Sequence, residues 1–522
     1  MKRQDIHHII YIGCLLILAC AIPVSNFMMS MGGLLLALNW AAEWNWREKW
    51  NRLKSNKLFI VLSAFFFICA LTLFNTDNWH AGIENLASKL PFLYVPGIIV
   101  SSRPLNGKEQ RLILNGFIIS TLVATIASII YLCTHKILDI REISLFTSHI
   151  RFSLCILLAI CLSVFIALRI KVYSKSLRII YSILAIWFVI YLFIAQTLTG
   201  IFILFCLLCF LFFYFIFKIK NLPYRKWIIT GISIFILAFS GYMAWTIYDY
   251  YHVDPKKIAT LDQETKSGNP YYHDPGSIVE NGFPIDTYIS QIELREGWCT
   301  RSSMPYDDYL EKTLVRYLNS KGLRKDLDGV KALTNKDISY IEQGIANVNY
   351  TKGFGIKRAI YPIFFSISLY QRYNKSDYSS LFQRVELWKA SFNIIKSNCW
   401  FGVGIGDQKS ALDEQLTAQN SSLVYKKGMG SHNQFLTYWL IGGIFLLLYF
   451  IFTLVYPFLV SSKTHSLLYI LFFLIIFISL FTEDTLETQV GINLYTFFNS
   501  FFLFIFNKSM ITDEKTFFHQ KK

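Results

Sequence analysis

Long apolar runs separated by short polar segments fill most of this chain, and one polar interval of about 185 residues interrupts them near the end. A helix needs about 20 apolar residues to span the hydrocarbon core of a bilayer. The pattern therefore predicts an all-α polytopic membrane protein with about twelve spans, of which the second and the fourth are short enough to be tilted, broken or re-entrant. The predicted spans are Ile9–Val24, Met28–Ala42, Leu58–Phe74, Leu90–Val100, Leu112–Cys133, Phe152–Leu168, Ile179–Ala195, Thr199–Phe217, Trp227–Ile247, Gln434–Val455, Leu467–Phe481 and Gly491–Phe506.

The composition agrees with this class. Hydrophobic residues make up 54% of the 522 residues, and the mean hydropathy is +0.41, which is too apolar for a soluble globular protein. The first span has no small-residue cleavage site and is followed by further spans, so we expect a membrane anchor and not a cleaved signal peptide.

The placement of Lys and Arg predicts the orientation, because these residues favour the cytoplasmic side of short loops. Of the 50 basic residues, 23 lie on the side of the N-terminus, and only Lys89, Lys136, Arg141 and Arg151 lie in or beside short loops on the other side. Both termini are therefore predicted to be cytoplasmic and the long interval to be exported. The net charge of +16 reflects this bias and does not indicate nucleic acid binding. The expected parts are an N-terminal bundle of about nine spans (1–247), an exported loop domain (248–432) and three closing spans with a cytoplasmic tail (433–522).

The exported loop shows helical periodicity after an irregular first part, 254–305, that is rich in Gly, Pro and Asp. Apolar spacing predicts four helices with their stops and caps. They are 305–320 ended by Gly322, 337–347 with Thr334 as a candidate cap, 358–372 broken near Pro362, and 379–396 with Asp377 or Ser379 as candidate caps.

Most of the ten cysteines lie in or beside apolar spans, where Cys behaves as a small hydrophobic residue. Cys206 and Cys209 form a Cys-x-x-Cys inside a span, but no His or carboxylate flanks them, so we expect neither a redox nor a metal role. Cys299 and Cys399 both lie in the exported loop, where a disulfide is permitted but not required.

The last helix of the loop carries Arg384 four residues before Trp388, so both side chains point the same way. The planar guanidinium matches phosphate oxygens and stays charged at any relevant pH. The position suits an anionic substrate at the bilayer surface, and it equally suits a solvated helix face or a pair with Glu386.

A glycine turn and a His-Asn pair follow this helix. Gly402, Gly404 and Gly406 could let the backbone approach an anion, or could simply end the helix in a tight turn. A nucleotide fingerprint is excluded because a helix, and not a strand, precedes the turn. His432, followed by Asn433 at the predicted outer boundary of a span, could move a proton near neutral pH or could be structural. No second His or carboxylate stands at metal-ligand spacing, so no metal is predicted.

Two further polar groups lie at predicted outer boundaries. His149 and Arg151 open the sixth span, where Arg151 could face inward to hold a phosphate or extend to the headgroups. Glu483, Asp484 and Glu487 lie between the last two spans, where they could balance arginines, orient His432, or form a solvated acidic loop.

At Arg384–Trp388, Phe401–Gly406 and Ser431–Gly443 the chain resembles the O-antigen ligase and O-antigen polymerase family of bacterial membrane glycosyltransferases. The shared pattern is an Arg-x-x-x-Trp helix, a Gly-x-Gly-x-Gly turn, and His-Asn before a span that here contains Gly442-Gly443. The resemblance extends to the architecture of about twelve spans with one large periplasmic loop before the last three.

The resemblance implies a reaction and its partners. A glycan would move from undecaprenyl diphosphate, on the periplasmic side of the inner membrane, to a hydroxyl of lipid A–core in ligases or of another lipid-linked glycan in polymerases. It implies no metal, nucleotide or other cofactor, with the diphosphate held by Arg384 and the acceptor served by His432. From their positions in the sequence, the residues expected to support the site are Trp388, Gly402, Gly404, Gly406, Asn433, His149 and Glu483.

One departure concerns the second phosphate ligand. Family members often carry a further Arg between the seventh and eighth spans, where this chain has Gln196–Gly200 without an Arg. Arg151 is the expected substitute, and Arg358 or Arg372 could also serve. The large loop and the segment from Phe481 to Glu487 favour a ligase over a polymerase. A flippase or transporter is the alternative from another class, although the chain has no internal repeat and little intramembrane charge.

Overall fold

Helices account for nearly all regular structure in the computed structural model, which describes residues 3–135, 140–218, 225–351, 356–373, 376, 379–507 and 510. Strands in these residues are confined to one antiparallel hairpin, β1 (Val279–Glu280) and β2 (Phe283–Pro284). The predicted all-α membrane class is thereby confirmed.

The helices follow one another in three groups along the chain. The first group is α1 (Arg3–Ala21), α2 (Asn26–Ala42), α3 (Trp46–Ser55), α4 (Lys57–Leu71), α5 (Trp79–Ser88), α6 (Pro91–Ser101), α7 (Gly107–Thr134), α8 (His149–Arg169), α9 (Lys175–Ile194) and α10 (Leu198–Lys218). The second is α11 (Arg225–Tyr251), α12 (Pro255–Ala259), α13 (Gln291–Arg301), α14 (Asp308–Ser320), α15 (Leu327–Lys331), α16 (Asn335–Glu342) and α17 (Ile356–Tyr373). The third is α18 (Ser380–Ser397), α19 (Gln408–Ala418), α20 (Gln434–Val460), α21 (Leu467–Thr482) and α22 (Gln489–Ser500), which a π-helical turn (Phe501–Ile505) extends.

The chain packs as two compact units. The membrane unit comprises Met1–Lys218, Leu387–Asn420 and Lys426–Lys522, and the loop unit comprises Ile219–Glu386 and Ser421–Tyr425. Residues 387–420, which fall within the predicted loop domain (248–432), pack with the membrane unit in the structure.

Six helices within the described residues are long and apolar enough to cross a membrane. They are Arg3–Ala21, Lys57–Asn75, Gly107–Thr134, His149–Arg169, Lys175–Ile194 and Gln434–Val460, and three shorter apolar helices are Leu198–Tyr214, Leu467–Thr482 and Gln489–Ile505. The other three predicted spans coincide with helices α2, α6 and α11, so the count of twelve is not confirmed.

The core of the membrane unit surrounds α8. Its side chains from Phe152 to Ser163 are nearly all buried, against α7, α9, α10 and α21 among others. A helix that is apolar on all sides suits the lipid as well as the interior of a helical bundle, and the burial of α8 places it in the interior. The first turn of α8 therefore has a fixed position, and it carries the predicted site residues His149 and Arg151.

Helix α20 is broken at Gly442 and Gly443, where the backbone leaves helical geometry and Gly443 adopts a φ of 66°. A break of this kind frees carbonyl groups, which must find other partners inside a membrane protein. The amides of Val403 and Gly404 donate to Leu440 O at 2.7 Å and to Ile441 O at 3.0 Å. The glycine turn thus fills the break.

The loop unit has its own hydrophobic core, which includes the fully buried Trp298, Leu314 and Leu318. The core side of α14 supplies most of it, and the helix ends as predicted before Gly322, with Leu323 N donating to Leu318 O at 3.0 Å. A core of this size explains why the long polar segment is folded.

The predicted loop helices appear as α14, α16, α17 and α18, with ends shifted by up to five residues, the largest shift being at the end of α16. Thr334 caps α16 in a capping box with Asp337, and Ser379 Oγ accepts from Leu381 N at 3.3 Å, whereas Asp377 lies outside the described residues. The expected break near Pro362 is wrong, because α17 runs through this residue without interruption. Pro362 removes one helical hydrogen bond, but the side chains beside it pack on Tyr250 and keep the helix continuous.

Two further expectations about the loop can be compared with the structure. The part expected to be irregular contains α12, the hairpin of β1 and β2, and α13, because its Gly, Pro and Asp content hides these short segments of regular structure. Cys299, in the loop unit, and Cys399, in the membrane unit, are both free thiols in the structure.

Candidate functional site

The Ser-His-Asn motif begins α20 and is fixed by a carboxylate distant in sequence. Asp484 Oδ2 accepts from the amide of His432 at 2.8 Å, and Asp484 Oδ1 accepts from the amide of Asn433 at 3.0 Å. Asn433 Oδ1 caps the helix by accepting from the amides of Phe435 (3.0 Å) and Leu436 (3.2 Å). His432 has a φ of 50°, which is uncommon for a residue with a side chain, so Asp484 holds it in a strained conformation.

Hydroxyl groups complete the environment of Asp484. Ser431 Oγ and Thr437 Oγ1 lie within 3.2 Å and 2.6 Å of Asp484 Oδ1. A side chain at Gly430 would bring its Cβ to 2.3 Å from Asp484 Oδ2, so any larger residue there would require this carboxylate to shift. Because two amides and two hydroxyls donate to this carboxylate, its role is to set the backbone of His432.

The imidazole of His432 faces a second carboxylate. Its Nδ1 lies 3.4 Å from Glu483 Oε2, and the side chain of Glu483 is 1% exposed while that of His432 is 33% exposed. If Nδ1 carries the proton and donates it to Glu483, Nε2 presents its lone pair to other groups. This geometry orients an imidazole that still reaches solvent.

Arg151 approaches the same oxygen of Glu483 from α8. Its NH2 atom lies 3.3 Å from Glu483 Oε2 and 3.5 Å from Asp484 O, and its NH1 atom lies 3.5 Å from Ser148 Oγ. Its Nε atom is buried and has no hydrogen-bond partner within the residues that the structure describes. Arg151 therefore compensates the charge of Glu483, which would otherwise be costly to bury.

Lys89 forms a neighbouring buried pair. Its Nζ atom is fully buried, lies 2.7 Å from Glu487 Oε1 and donates to Leu486 O at 2.6 Å. Gln434 Nε2 also donates to Glu487 Oε1, at 2.9 Å, while Gln434 Oε1 accepts from Leu486 N at 2.7 Å. The segment that carries Glu483 and Asp484 is thus fastened to the start of α20.

From the sequence, Lys89 is predicted only to be a basic residue on the outer side. The signal that could have identified its role is its isolation: it is one of few outer bases, and Glu487 is among the few outer acids available to it. The contact itself joins residues almost 400 positions apart, which spacing along the chain does not reveal.

The backbone amides of the glycine turn donate hydrogen bonds to other parts of the protein. The amides of Val403 and Gly404 bond into the break of α20, and Gly406 N donates to Thr76 Oγ1 at 3.3 Å. The carbonyls of Gly402 and Ile405 accept from the side-chain amides of Asn75 (2.6 Å) and Asn85 (2.9 Å). These contacts give the turn a scaffolding role and occupy the amides that an anion would need.

Gly404 shows why glycine is required in this turn. Its φ is 91°, and an added Cβ would lie 2.3 Å from Thr76 Oγ1 and 2.5 Å from Asn75 O. Asp407 adds a further link, since its carboxylate accepts from the amides of Asp77 (2.7 Å) and Asn78 (3.1 Å). The turn is therefore joined to the segment between α4 and α5 as well as to α20.

Helix α18 carries the Arg-x-x-x-Trp motif. Arg384 is half-buried, belongs to the loop unit and donates from NH1 to Ser380 O at 3.3 Å. Trp388 belongs to the membrane unit, and its indole N–H is buried without an acceptor in the described part of the chain. Glu386, considered as a pair for Arg384, accepts from Tyr370 OH at 2.5 Å.

The remaining predicted phosphate ligands, Arg358 and Arg372, lie on α17 in the loop unit. Arg372 NH2 is 3.1 Å from Asp274 Oδ2, and its NH1 donates to Gly276 O. The structure thus brings His432, Asn433, Glu483 and Arg151 together in the membrane unit, whereas Arg384, Arg358 and Arg372 belong to the loop unit.

Comparison with known proteins supports the predicted family. Residues 354–451 match the family model described as O-Antigen ligase, which confirms the resemblance. The matched range contains α17 and α18, the glycine turn, the Ser-His-Asn motif and the break in α20. The chain has no match among the curated proteins.

Proposed function

We propose that this chain, with its O-antigen ligase domain at residues 354–451, transfers a glycan from undecaprenyl diphosphate to a hydroxyl of lipid A–core. The reaction would take place at the periplasmic face of the inner membrane. The observation that carries the proposal is the family match, within which an oriented, partly exposed His432 begins a membrane helix. The contacts around Glu483 and Asp484, which lie outside the matched range, support a site prepared for proton transfer.

The donor side of the reaction requires positive charge. When the bond between the anomeric carbon and the diphosphate breaks, charge develops on the phosphate oxygens, and fixed cations stabilise that charge. Arg384 is the proposed ligand because its guanidinium can bind two phosphate oxygens at once. Arg358, Arg372 and Arg151 are the further candidates, and the contact of Arg151 with Glu483 gives it a second role in holding that carboxylate.

The acceptor side requires a base. The acceptor oxygen would attack the anomeric carbon while His432 Nε2 takes the hydroxyl proton, and undecaprenyl diphosphate would leave with the electron pair of the broken bond. The configuration at the anomeric carbon would invert in this single displacement. Glu483 would keep Nδ1 protonated and stabilise the imidazolium that forms, as the carboxylate does in a His-Asp pair.

The test uses lipopolysaccharide from a strain that lacks the gene, complemented with wild type, Arg384→Ala or His432→Ala. We expect both variants to be present in the membrane and to lose transfer by about 10²-fold or more. Arg295→Ala and His80→Ala are the matched controls, because both side chains are exposed and lie outside the proposed site.

The gel pattern distinguishes the possible outcomes. Loss of long glycan from lipid A–core, with full-length glycan left on undecaprenyl diphosphate, supports the ligase. Lipid A–core that bears single repeats would indicate the polymerase, which uses the same chemistry. Normal lipopolysaccharide in both alanine variants would contradict the assignment of Arg384 and His432.

A further inference from the structure

The membrane unit has a second feature that the proposed reaction does not use, a cleft between α1 and α2. Its volume is about 490 Å³, and its walls are mainly apolar. The lining residues are His7, Ile10, Gly13, Cys14, Ile17, Leu35, Leu38, Asn39 and Ala42. A volume of roughly 300–1,000 Å³ is typical of sites that hold small molecules.

One end of the cleft is polar and positively charged. His7 Nδ1 and Asn39 Oδ1 are 2.9 Å apart, and Asn39 Nδ2 donates to His7 O at 3.0 Å. The exposed Arg3 donates from NH2 to Ala42 O at 2.8 Å, which places its guanidinium at this end. An apolar groove that leads to a cation is complementary to a lipid whose chains are apolar and whose headgroup is anionic.

Gly13 keeps the cleft open. A Cβ at Gly13 would meet no atom within 4 Å, although α1 and α2 approach closely elsewhere, where a Cβ at Gly32 would lie 3.4 Å from Leu18 N. Ile10, Leu35 and Leu38 leave between 42% and 55% of their surface exposed. The cleft is therefore a groove that a hydrocarbon chain could enter from the bilayer.

The segment that follows the cleft has the features of an interfacial helix. Trp44, Trp46 and Trp50 are exposed to between 43% and 72%, and α3 also presents Arg47 and Lys54 at its surface. Tryptophan and basic residues together are typical of helices that lie in the headgroup region. This observation is independent of the cleft, and it places the polar end of the cleft next to headgroups.

Helix α3 is firmly attached in this position. Lys49 pairs with Glu43 at 2.8 Å, and Arg52 NH1 donates to Ser102 O at 2.9 Å. Two of its basic side chains therefore bind the protein, while Arg47 and Lys54 remain at the surface to attract negative charge.

From the cleft, the cation at its end and the adjoining helix, we propose a binding site for one anionic phospholipid. One acyl chain lies along Gly13, and the phosphate contacts Arg3. The predicted orientation puts this site in the cytoplasmic leaflet, whose negative lipids attract basic segments and bind between helices.

The experiment measures lipid retained by the delipidated full chain in detergent, by native mass spectrometry. The probes are phosphatidylglycerol and phosphatidylcholine with identical acyl chains. We expect one phosphatidylglycerol to bind in preference to phosphatidylcholine. Gly13→Phe should reduce binding of both lipids by about tenfold or more, because the ring occupies the apolar site, and Arg3→Gln should weaken only phosphatidylglycerol, by about fivefold.

Two control variants separate the site from general effects. Gly241→Phe adds the same ring at another helical glycine with no atom within 4 Å, and Arg169→Gln removes an exposed arginine from the same predicted face. Both should bind lipid as wild type does. Equal binding of the two lipids by wild type, or unchanged binding in Gly13→Phe, would overturn the proposal, and an unchanged Arg3→Gln would overturn the phosphate contact.

Discussion

Buried carboxylates occur in both units of this protein, but they differ in how completely their partners enclose them. In the loop unit, Glu280 is fully buried and Arg316 contacts both of its oxygens, from Nε at 2.9 Å and from NH2 at 3.0 Å. Asn347 Nδ2 donates to the same carboxylate at 2.7 Å, and Arg316 stacks on Phe365. The side chain of Arg316 is 19% exposed, and this group of contacts stabilises the fold.

In the membrane unit, Glu483 is equally buried, but its contacts with Arg151 and His432 are longer, at 3.3 Å and 3.4 Å. One of those partners, the imidazole, is one-third exposed. Burying the charge of Glu483 costs free energy, and part of this cost is offset by the imidazole of His432, which is exposed enough to contact a substrate. The comparison suggests that the exposure of a partner, and not burial of the carboxylate alone, separates a structural ion pair from the proposed catalytic one.

The largest expected effect comes from replacing each of these two buried glutamates with glutamine, which removes the charge and keeps the shape of the side chain. Glu483→Gln should lower the rate of glycan transfer per folded molecule by about 10²–10⁴-fold, because His432 loses the group that orients it and stabilises its protonated form. Glu280→Gln should leave that rate intact but lower the free energy of unfolding of the loop unit by about 3–5 kcal/mol, because Arg316 is left buried without its counter-ion.

Both variants are measured in two assays, transfer with purified donor and acceptor, and thermal unfolding followed by tryptophan fluorescence. The comparison fails if Glu483→Gln is destabilised while its rate per folded molecule is unchanged. It also fails if Glu280→Gln is stable and inactive.

A smaller effect is expected in the glycine turn, which we regard as scaffold. Gly404→Ala should destabilise the membrane unit by roughly 2–4 kcal/mol, since it adds both a left-handed backbone penalty and a contact with Thr76. Gly428→Ala is the matched control: its φ is 74°, but no atom lies within 4 Å of its Cβ, so about 1–2 kcal/mol is expected.

The measurement is the melting temperature and the yield of folded protein by size-exclusion chromatography, together with the apparent affinity for the donor. If Gly404→Ala folds normally and loses donor affinity, the turn binds the diphosphate, and its scaffolding role is not the main one.

Features set by neighbouring residues could be predicted from the sequence. The stop of α14 before Gly322 and the cap of α16 at Thr334 depend on side chains within one or two turns, and both are found. The membrane class follows from composition in the same way. For the site, the motifs identified His432 and the glycine turn as residues of interest.

What the sequence could not supply was the set of partners. Asp484 bonds to the amide of His432 from 52 positions away, and Lys89 contacts Glu487 from 398 positions away. The residues Gly442 and Gly443 mark a break in α20, but nothing near them shows that Val403 and Gly404 fill it. Long-range contacts of this kind depend on the packed bundle, which local patterns do not describe.

The smallest expected effect concerns pH and a third enclosed charge, Lys325 in the loop unit. Burial lowers the pKa of Lys325 to about 7, although Asp286 opposes the shift. Its Nζ donates to Asn319 Oδ1 at 2.7 Å, and Asn319 in turn donates to Glu280 O at 2.8 Å, so this lysine borders the group of contacts around Glu280.

The direction in which stability changes with pH follows from the pKa of Lys325 in the folded and in the unfolded chain. Between the folded pKa near 7 and the unfolded value of about 10.4, the unfolded chain binds the additional proton, so the loop unit should become more stable as pH rises through that range. Lys325→Met should abolish this dependence, while Lys331→Met, which alters an exposed lysine on α15, should retain it. Melting temperatures of the three proteins from pH 7 to 9.5 provide the measurement. A parallel rise in all three would show that Lys325 is charged in the folded state and that its surroundings are more open than the contacts around Glu280.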